Sequence, residues 1–132
     1  YPDEGFLWFG FKDAAMLPAT TMWISNRGRH GAPWHGRNMC LGIEDCCGYF
    51  ANGLKDSVEP NLFNKKGFAT ALPLDPDKPL QVNYIEGVVK IGNDFDRVDN
   101  VLFESGMVVF VAESGARVAT QVDVSFLNPE FN

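Results

Sequence analysis

Apolar and polar residues alternate with a period of two along most of the chain, and helical three-to-four spacing is confined to one short stretch. That pattern predicts strands. Thr20-Thr21-Met22-Trp23-Ile24-Ser25 follows Pro18 and mixes β-branched with aromatic residues, while Met39-Cys40-Leu41-Gly42-Ile43 is an unbroken apolar run. Both compositions suit central strands, the second one covered on both faces. The residues between them, 26–38, hold Gly28, Gly31, Pro33 and Gly36 and form a loop. A short helix is predicted over 58–66, with Ser57 as its cap, Glu59 and Pro60 in its first turn, Lys65 and Lys66 at its end and Gly67 as its stop. From Leu80 onward a meander is predicted, with strands over 80–91, 98–104, 107–112 and 117–126. Ser105-Gly106 and Ser114-Gly115 supply the tight turns between the last three. Within 80–88 the alternation changes phase at Tyr84-Ile85, which a β-bulge near Gly87 accounts for. The expected fold class is all-β, an antiparallel β-sandwich with at most one short helix.

At 132 residues the chain has room for one domain, and 45% hydrophobic against 21% charged residues gives it the material for a core. No apolar run reaches the roughly 20 residues that span a bilayer as a helix. The chain opens at Tyr1 with neither a basic stretch nor an apolar run leading to a small-residue cleavage site, so the sequence shows no signal peptide and reads as a fragment or a processed chain. Three cysteines, Cys40, Cys46 and Cys47, make an odd count without disulfide-scaffold spacing, and no Asn-x-Ser/Thr sequon occurs. Both features fit a reducing, cytoplasmic location.

The net charge of −6 is unevenly spread: 7 Lys/Arg face 7 Asp/Glu through Lys66, and 4 face 10 beyond it. An acidic chain lacks the basic footprint of a nucleic-acid binder. Between Asp13 and Glu44, however, there is no carboxylate, while Arg27, Arg29, His30, His35 and Arg37 all lie inside that window. A polar loop bearing these residues and Trp34 feeds directly into an apolar strand that ends in Glu44-Asp45. Planar polar side chains and an aromatic face are what a sugar pocket needs, the first for hydroxyls and the second for the apolar face of the ring. Arg29, His30, Trp34, His35 and Arg37 are therefore candidate substrate-binding residues. Glu44 is the candidate general base, since partial burial after an apolar strand would raise its pKa; its ordinary alternative is an ion pair with a loop arginine. For Trp34 the alternative is plain packing.

A metal reading fails on spacing, because Cys40 falls inside a strand and Cys46 and Cys47 are neighbours rather than a knuckle. Asp94, Asp96 and Asp99 resemble the start of a calcium loop but lack its glycine and bidentate glutamate, and read as a solvated acidic turn. Neither a phosphate-binding glycine loop nor a Gly-x-Ser-x-Gly elbow is present. No cofactor or metal is expected.

Trp23-Ile-Ser-Asn-Arg-Gly-Arg-His, Ala32-Pro-Trp-His-Gly-Arg, Leu41-Gly-Ile-Glu-Asp, Asn61-Leu-Phe-Asn-Lys-Lys-Gly-Phe-Ala-Thr-Ala-Leu and the closing acidic meander together resemble the C-terminal half of an aldose 1-epimerase-like, or galactose mutarotase-like, protein. The resemblance covers most of the chain. It implies a portion of a β-supersandwich, a monosaccharide or sugar derivative as ligand, and a glutamate that takes the anomeric proton while a histidine protonates the ring oxygen. Glu44 matches that glutamate, whereas the family's histidine normally comes from the half of the sandwich that this chain lacks. Supersandwich enzymes are about twice as long, so the resemblance implies either a homodimer or a missing N-terminal half. A non-catalytic carbohydrate-binding or accessory β-sandwich is the alternative. Neither a nucleic acid nor a membrane is an expected partner.

Overall fold

The computed structural model describes residues 1–104, 106–125 and 127. It is mostly β, with seven antiparallel strands among the described residues: β1 Phe6–Lys12, β2 Ala19–Asn26, β3 Met39–Cys46, β4 Tyr84–Lys90, β5 Val98–Glu104, β6 Met107–Ala112 and β7 Arg117–Gln121. Helix is limited to α1 Gly53–Val58, α2 Leu62–Lys65 and two single 3-10 turns. The chain divides into two compact units, one built from Tyr1–Lys12 and the chain from Asn83 onward, the other from Asp13–Val82.

In the first unit β1 pairs with β4 from Phe6↔Lys90 to Lys12↔Tyr84, and β5, β6 and β7 form a three-stranded sheet with β6 in the centre. Leu7, Phe9 and Phe11, two apart on β1, turn one face to a core that contains Val108, Phe110, Ala112, Phe95, Ile91, Val124 and Leu127. The Phe9 and Phe110 rings lie 5.1 Å apart at 43°, and Phe11 meets Phe103 edge-on at 5.4 Å. A phenyl buried as Phe9 and Phe110 are contributes about 1.5–3 kcal/mol by leaving water. β6 is buried through Val108, Val109 and Phe110, as a central strand should be.

Several expectations change here. β4 begins at Tyr84, not Leu80, and from there alternates without a break. No bulge occurs at Gly87, which pairs in register with Phe9. A Cβ at position 87 would stand 2.3 Å from Phe9 Cζ, so the glycine leaves room for a ring instead of kinking the strand. The register shift lies between Val98 and Asn100 on β5. Gly106, at φ +70°, and Gly115, at φ +87°, turn the chain into β6 and β7; Ser105 lies outside the described residues. β7 stops at Gln121 instead of continuing to position 126, and Phe126 also lies outside the described residues. The acidic turn is tied to the β6–β7 connection: Ser114 N donates to Asp96 Oδ1 at 3.1 Å, and Ser114 Oγ donates to the Asp94 carbonyl at 2.6 Å. Backbone N–H groups of Ser114 and Arg97 hold the Asp96 carboxyl below the usual carboxylate range.

In the second unit β2 and β3 pair from Ala19↔Cys46 to Asn26↔Met39 as a two-stranded ribbon. They are not central strands, and β3 is not covered on both faces. Met22, Ile24, Met39 and Leu41 share one face of the ribbon and are 44–73% exposed. The apolar run reflects that open face, which composition alone does not distinguish from a buried one.

The helix predicted over 58–66 is divided. Pro60 disfavours the helical conformation at Glu59, which is extended at ψ 157° and ends α1. Asn61, rather than Ser57, caps α2: its Oδ1 accepts from Phe63 N at 2.9 Å and Asn64 N at 3.1 Å, and Asn64 returns a bond to Asn61 N. Asn61 Nδ2 donates to Thr70 Oγ1 at 2.8 Å, and that hydroxyl donates to the Ser57 carbonyl at 2.7 Å. Both side chains are buried, so these bonds replace water and tie residues 57–70 together.

Candidate functional site

Trp23 lies on β2 opposite Gly42 on β3, and Thr21 lies opposite Glu44. Residues two apart on a strand share a face, so Trp23, Gly42 and Glu44 stand together on the side away from Met22 and Ile24. The absent side chain of Gly42 gives the indole its place: a Cβ there would meet Trp23 Cε3 at 3.3 Å and Glu44 Oε1 at 3.6 Å.

The loop that joins the two strands is folded back on itself. Its neck is closed by Arg27 N donating to the Asn38 carbonyl at 3.1 Å. Buried Ser25 reinforces it, since its Oγ donates to the same carbonyl at 3.3 Å and accepts from Asn38 Nδ2 at 3.2 Å. Further out, the Gly31 carbonyl accepts from Trp34 N and His35 N, both at 3.0 Å, and Gly36 N donates to the Arg29 carbonyl at 2.8 Å. Arg27 at φ 58° and His35 at φ 47° adopt the left-handed region, which side-chain-bearing residues occupy at a cost and which concentrates at ligand-binding turns.

This fold-back places Arg29 over two indoles. Its Cζ is 4.8 Å from the Trp23 ring centroid and 5.4 Å from that of Trp34. Cation–π contacts at exposed positions are worth about 0.5–1 kcal/mol each, enough to bias where a long side chain rests. Trp34 is 40% exposed, which leaves part of its indole open to solvent. The site thus offers a guanidinium edge, an accessible indole and a carboxylate.

Of the residues expected at a site, the structure gathers Arg29, Trp34 and Glu44. The His30 imidazole is exposed and lies beside Gly36, with Nδ1 3.4 Å from where a Cβ would stand there. Arg27, His35 and Arg37 remain exposed on the loop. Glu44 is exposed rather than partly buried, because the ribbon has no second layer over this position. Among the described residues it forms no hydrogen bond or ion pair with His30, His35 or a loop arginine. The expected desolvation therefore does not occur, and neither does the alternative ion pair.

Trp23 is the candidate residue that reading the sequence as strand material overlooked. The signal that finds it is the pairing of a large aromatic with a glycine across the ribbon. The same unit also holds a cavity of about 340 Å³ lined by Tyr49, Asp56, Glu59, Asn61 and Lys65, and one of about 210 Å³ lined by Pro18, Ala19, Phe63, Lys66 and Phe68. Cys40, Cys46 and Cys47 are free thiols. Burial, and then the neighbouring Cys46, raise the Cys47 thiol above its ordinary value.

Fold and site define a small antiparallel β protein with an exposed face of indoles, guanidinium and carboxylate. Comparisons with family models, with curated proteins and with solved structures find no match. Among the described residues no helix is long and apolar enough to cross a membrane.

Proposed function

We propose that this chain is a carbohydrate-binding protein of the aldose 1-epimerase-like kind, in which the face formed by Trp23, Arg29, Trp34 and Glu44 holds a monosaccharide. The observation that carries the reading is Arg29 standing over both indoles, on the face of the ribbon to which Glu44 also belongs. Trp34 covers the apolar side of a pyranose, Arg29 donates to its hydroxyls, and Glu44 accepts from the anomeric hydroxyl. With a second group to protonate the ring oxygen, proton removal by Glu44 opens the ring, and reclosure gives either anomer. A homodimer or a preceding half of the chain would supply that group. The free thiols support a cytoplasmic setting. The carboxylate-rich second half of the sequence argues against nucleic acid as a partner, and a membrane has no part in this reading.

A second reading is recognition without turnover, and the exposure of Glu44 favours it, since no second layer of the ribbon shields that carboxylate and a reacting sugar from water. Anomer exchange followed by NMR with glucose and galactose separates the two. Catalysis predicts acceleration over buffer that Glu44→Gln abolishes with little change in binding. Recognition alone predicts line broadening of the sugar signals, no acceleration, and binding that depends on Trp34 and Arg29. Absence of broadening at millimolar sugar overturns both.

A further inference from the structure

We infer that the ligand of this face is a sugar bearing an oxyanion, a carboxylate or a phosphate ester, with Arg29 as its forked donor; the inference rests on the sugar-binding reading and names its substrate class. The chain is acidic overall, yet its arginines divide into two groups. Arg97 pairs with Glu113, and Arg117 lies 3.4 Å from Glu104. Arg27, Arg29 and Arg37 pair with no carboxylate among the described residues, although all three are exposed. The sequence itself arranges this, because no Asp or Glu occurs between Asp13 and Glu44. Three uncompensated guanidinium groups in eleven residues form a local positive field in a molecule of net charge −6.

Arg29 is the one of the three that is positioned. Its carbonyl is fixed by Gly36 N, and its guanidinium lies against two indoles. A guanidinium held near aromatic rings, which accept none of its N–H bonds in a carboxylate's manner, keeps donors for a ligand, and its fork matches the two oxygens of a carboxylate or phosphate. A neutral hydroxyl needs no such fork. Glu44 stands on the same face but forms no ion pair with Arg29, so the guanidinium's charge is not neutralised internally. In the bound state Glu44 serves a ring hydroxyl and the anion goes to the arginine side.

The test is a titration of the full chain, by calorimetry or ligand-observed NMR, with four probes: glucose, glucose 6-phosphate, glucuronate and inorganic phosphate. At least one charged sugar is expected to bind about tenfold or more tightly than glucose, as charge-assisted bonds to a guanidinium allow. The advantage should shrink at high salt. Whichever of the two charged sugars binds more tightly identifies the anion. Arg29→Lys keeps the charge but loses the fork, and is expected to bring the charged sugars down to the level of glucose. Glucose binding as tightly as both charged sugars overturns the inference and leaves the sugar-binding reading standing. Failure of every sugar overturns both, as does inorganic phosphate binding as tightly as glucose 6-phosphate. The wild-type series decides these outcomes even if the variant does not fold.

Discussion

A methyl group at position 87 would have to share space with the ring of Phe9, whose Cζ lies 2.3 Å from the site. That ring is buried between the two sheets of its unit and cannot swing into water. Gly87→Ala is therefore expected to destabilise the fold by about 1–3 kcal/mol, the usual cost of overpacking a filled core. Gly92 is the control. A Cβ there meets only the Asp94 carboxylate, at 2.6 Å, and a carboxylate on a rotatable side chain can move aside. Gly92→Ala should stay within about 0.5 kcal/mol, so thermal melts that rank the two variants equally would overturn this account of Gly87. At this scale the sequence is informative about residue type and silent about neighbours. Arg29 and Trp34 are recognisable as candidates by loop position and chemistry, and Glu44 as the carboxylate that follows an apolar run. The contact of Arg29 with Trp23 depends on a loop turning back through left-handed residues at Arg27 and His35, and neither residue type advertises that conformation. The exposure of Glu44 depends on what fails to cover the ribbon, which one strand's composition does not report.

Helix α2 has four residues, far too few to persist on propensity, so its cap has to hold it. Asn61 does this while also donating to Thr70 from a buried position. Asn61→Ala is expected to cost about 2 kcal/mol, combining a lost cap with a buried hydroxyl that loses one of its donors. Asn61→Asp keeps the cap acceptor but sets a buried carboxylate oxygen against the Asp56 and Glu59 carbonyls, to which Nδ2 donates at 3.0 and 3.2 Å, and should lose at least as much. Denaturant unfolding gives the order of the two variants, and hydrogen exchange at the Phe63 and Asn64 amides shows whether the cap is the cause. Elements were legible where β-branched, aromatic or apolar runs are bounded by loop and turn residues: β2, β3, β5 and β6 fall close to their expected places. β1 is hidden because Phe6-Leu7-Trp8-Phe9-Gly10-Phe11 carries no alternation to read. The division of the helix at Pro60 and the true cap at Asn61 depend on a choice between two neighbouring cap residues, and a contact with Thr70 nine positions away decides it.

Across the whole molecule, residues 13–82 leave the first unit after Lys12 and return just before Tyr84, and those two residues are cross-strand neighbours in the β1–β4 pair. Antiparallel neighbours lie about 4.5–5.5 Å apart, a gap that a two-residue turn bridges. Replacing residues 13–83 with Asn-Gly is therefore expected to yield a shorter chain that melts cooperatively and retains near-ultraviolet aromatic ellipticity. A chain without a cooperative transition would mean that the phenylalanine core needs the excised segment. The β1–β4 pairing also sets an order in time. The sheet of β5, β6 and β7 is joined by short turns and can form locally, whereas β1 and β4 pair only across the long segment between them. Closing that long intervening segment carries an entropic cost that grows with its length. The shortened chain should accordingly refold faster than the full one, since its β1–β4 pair no longer waits on the closure of a long loop.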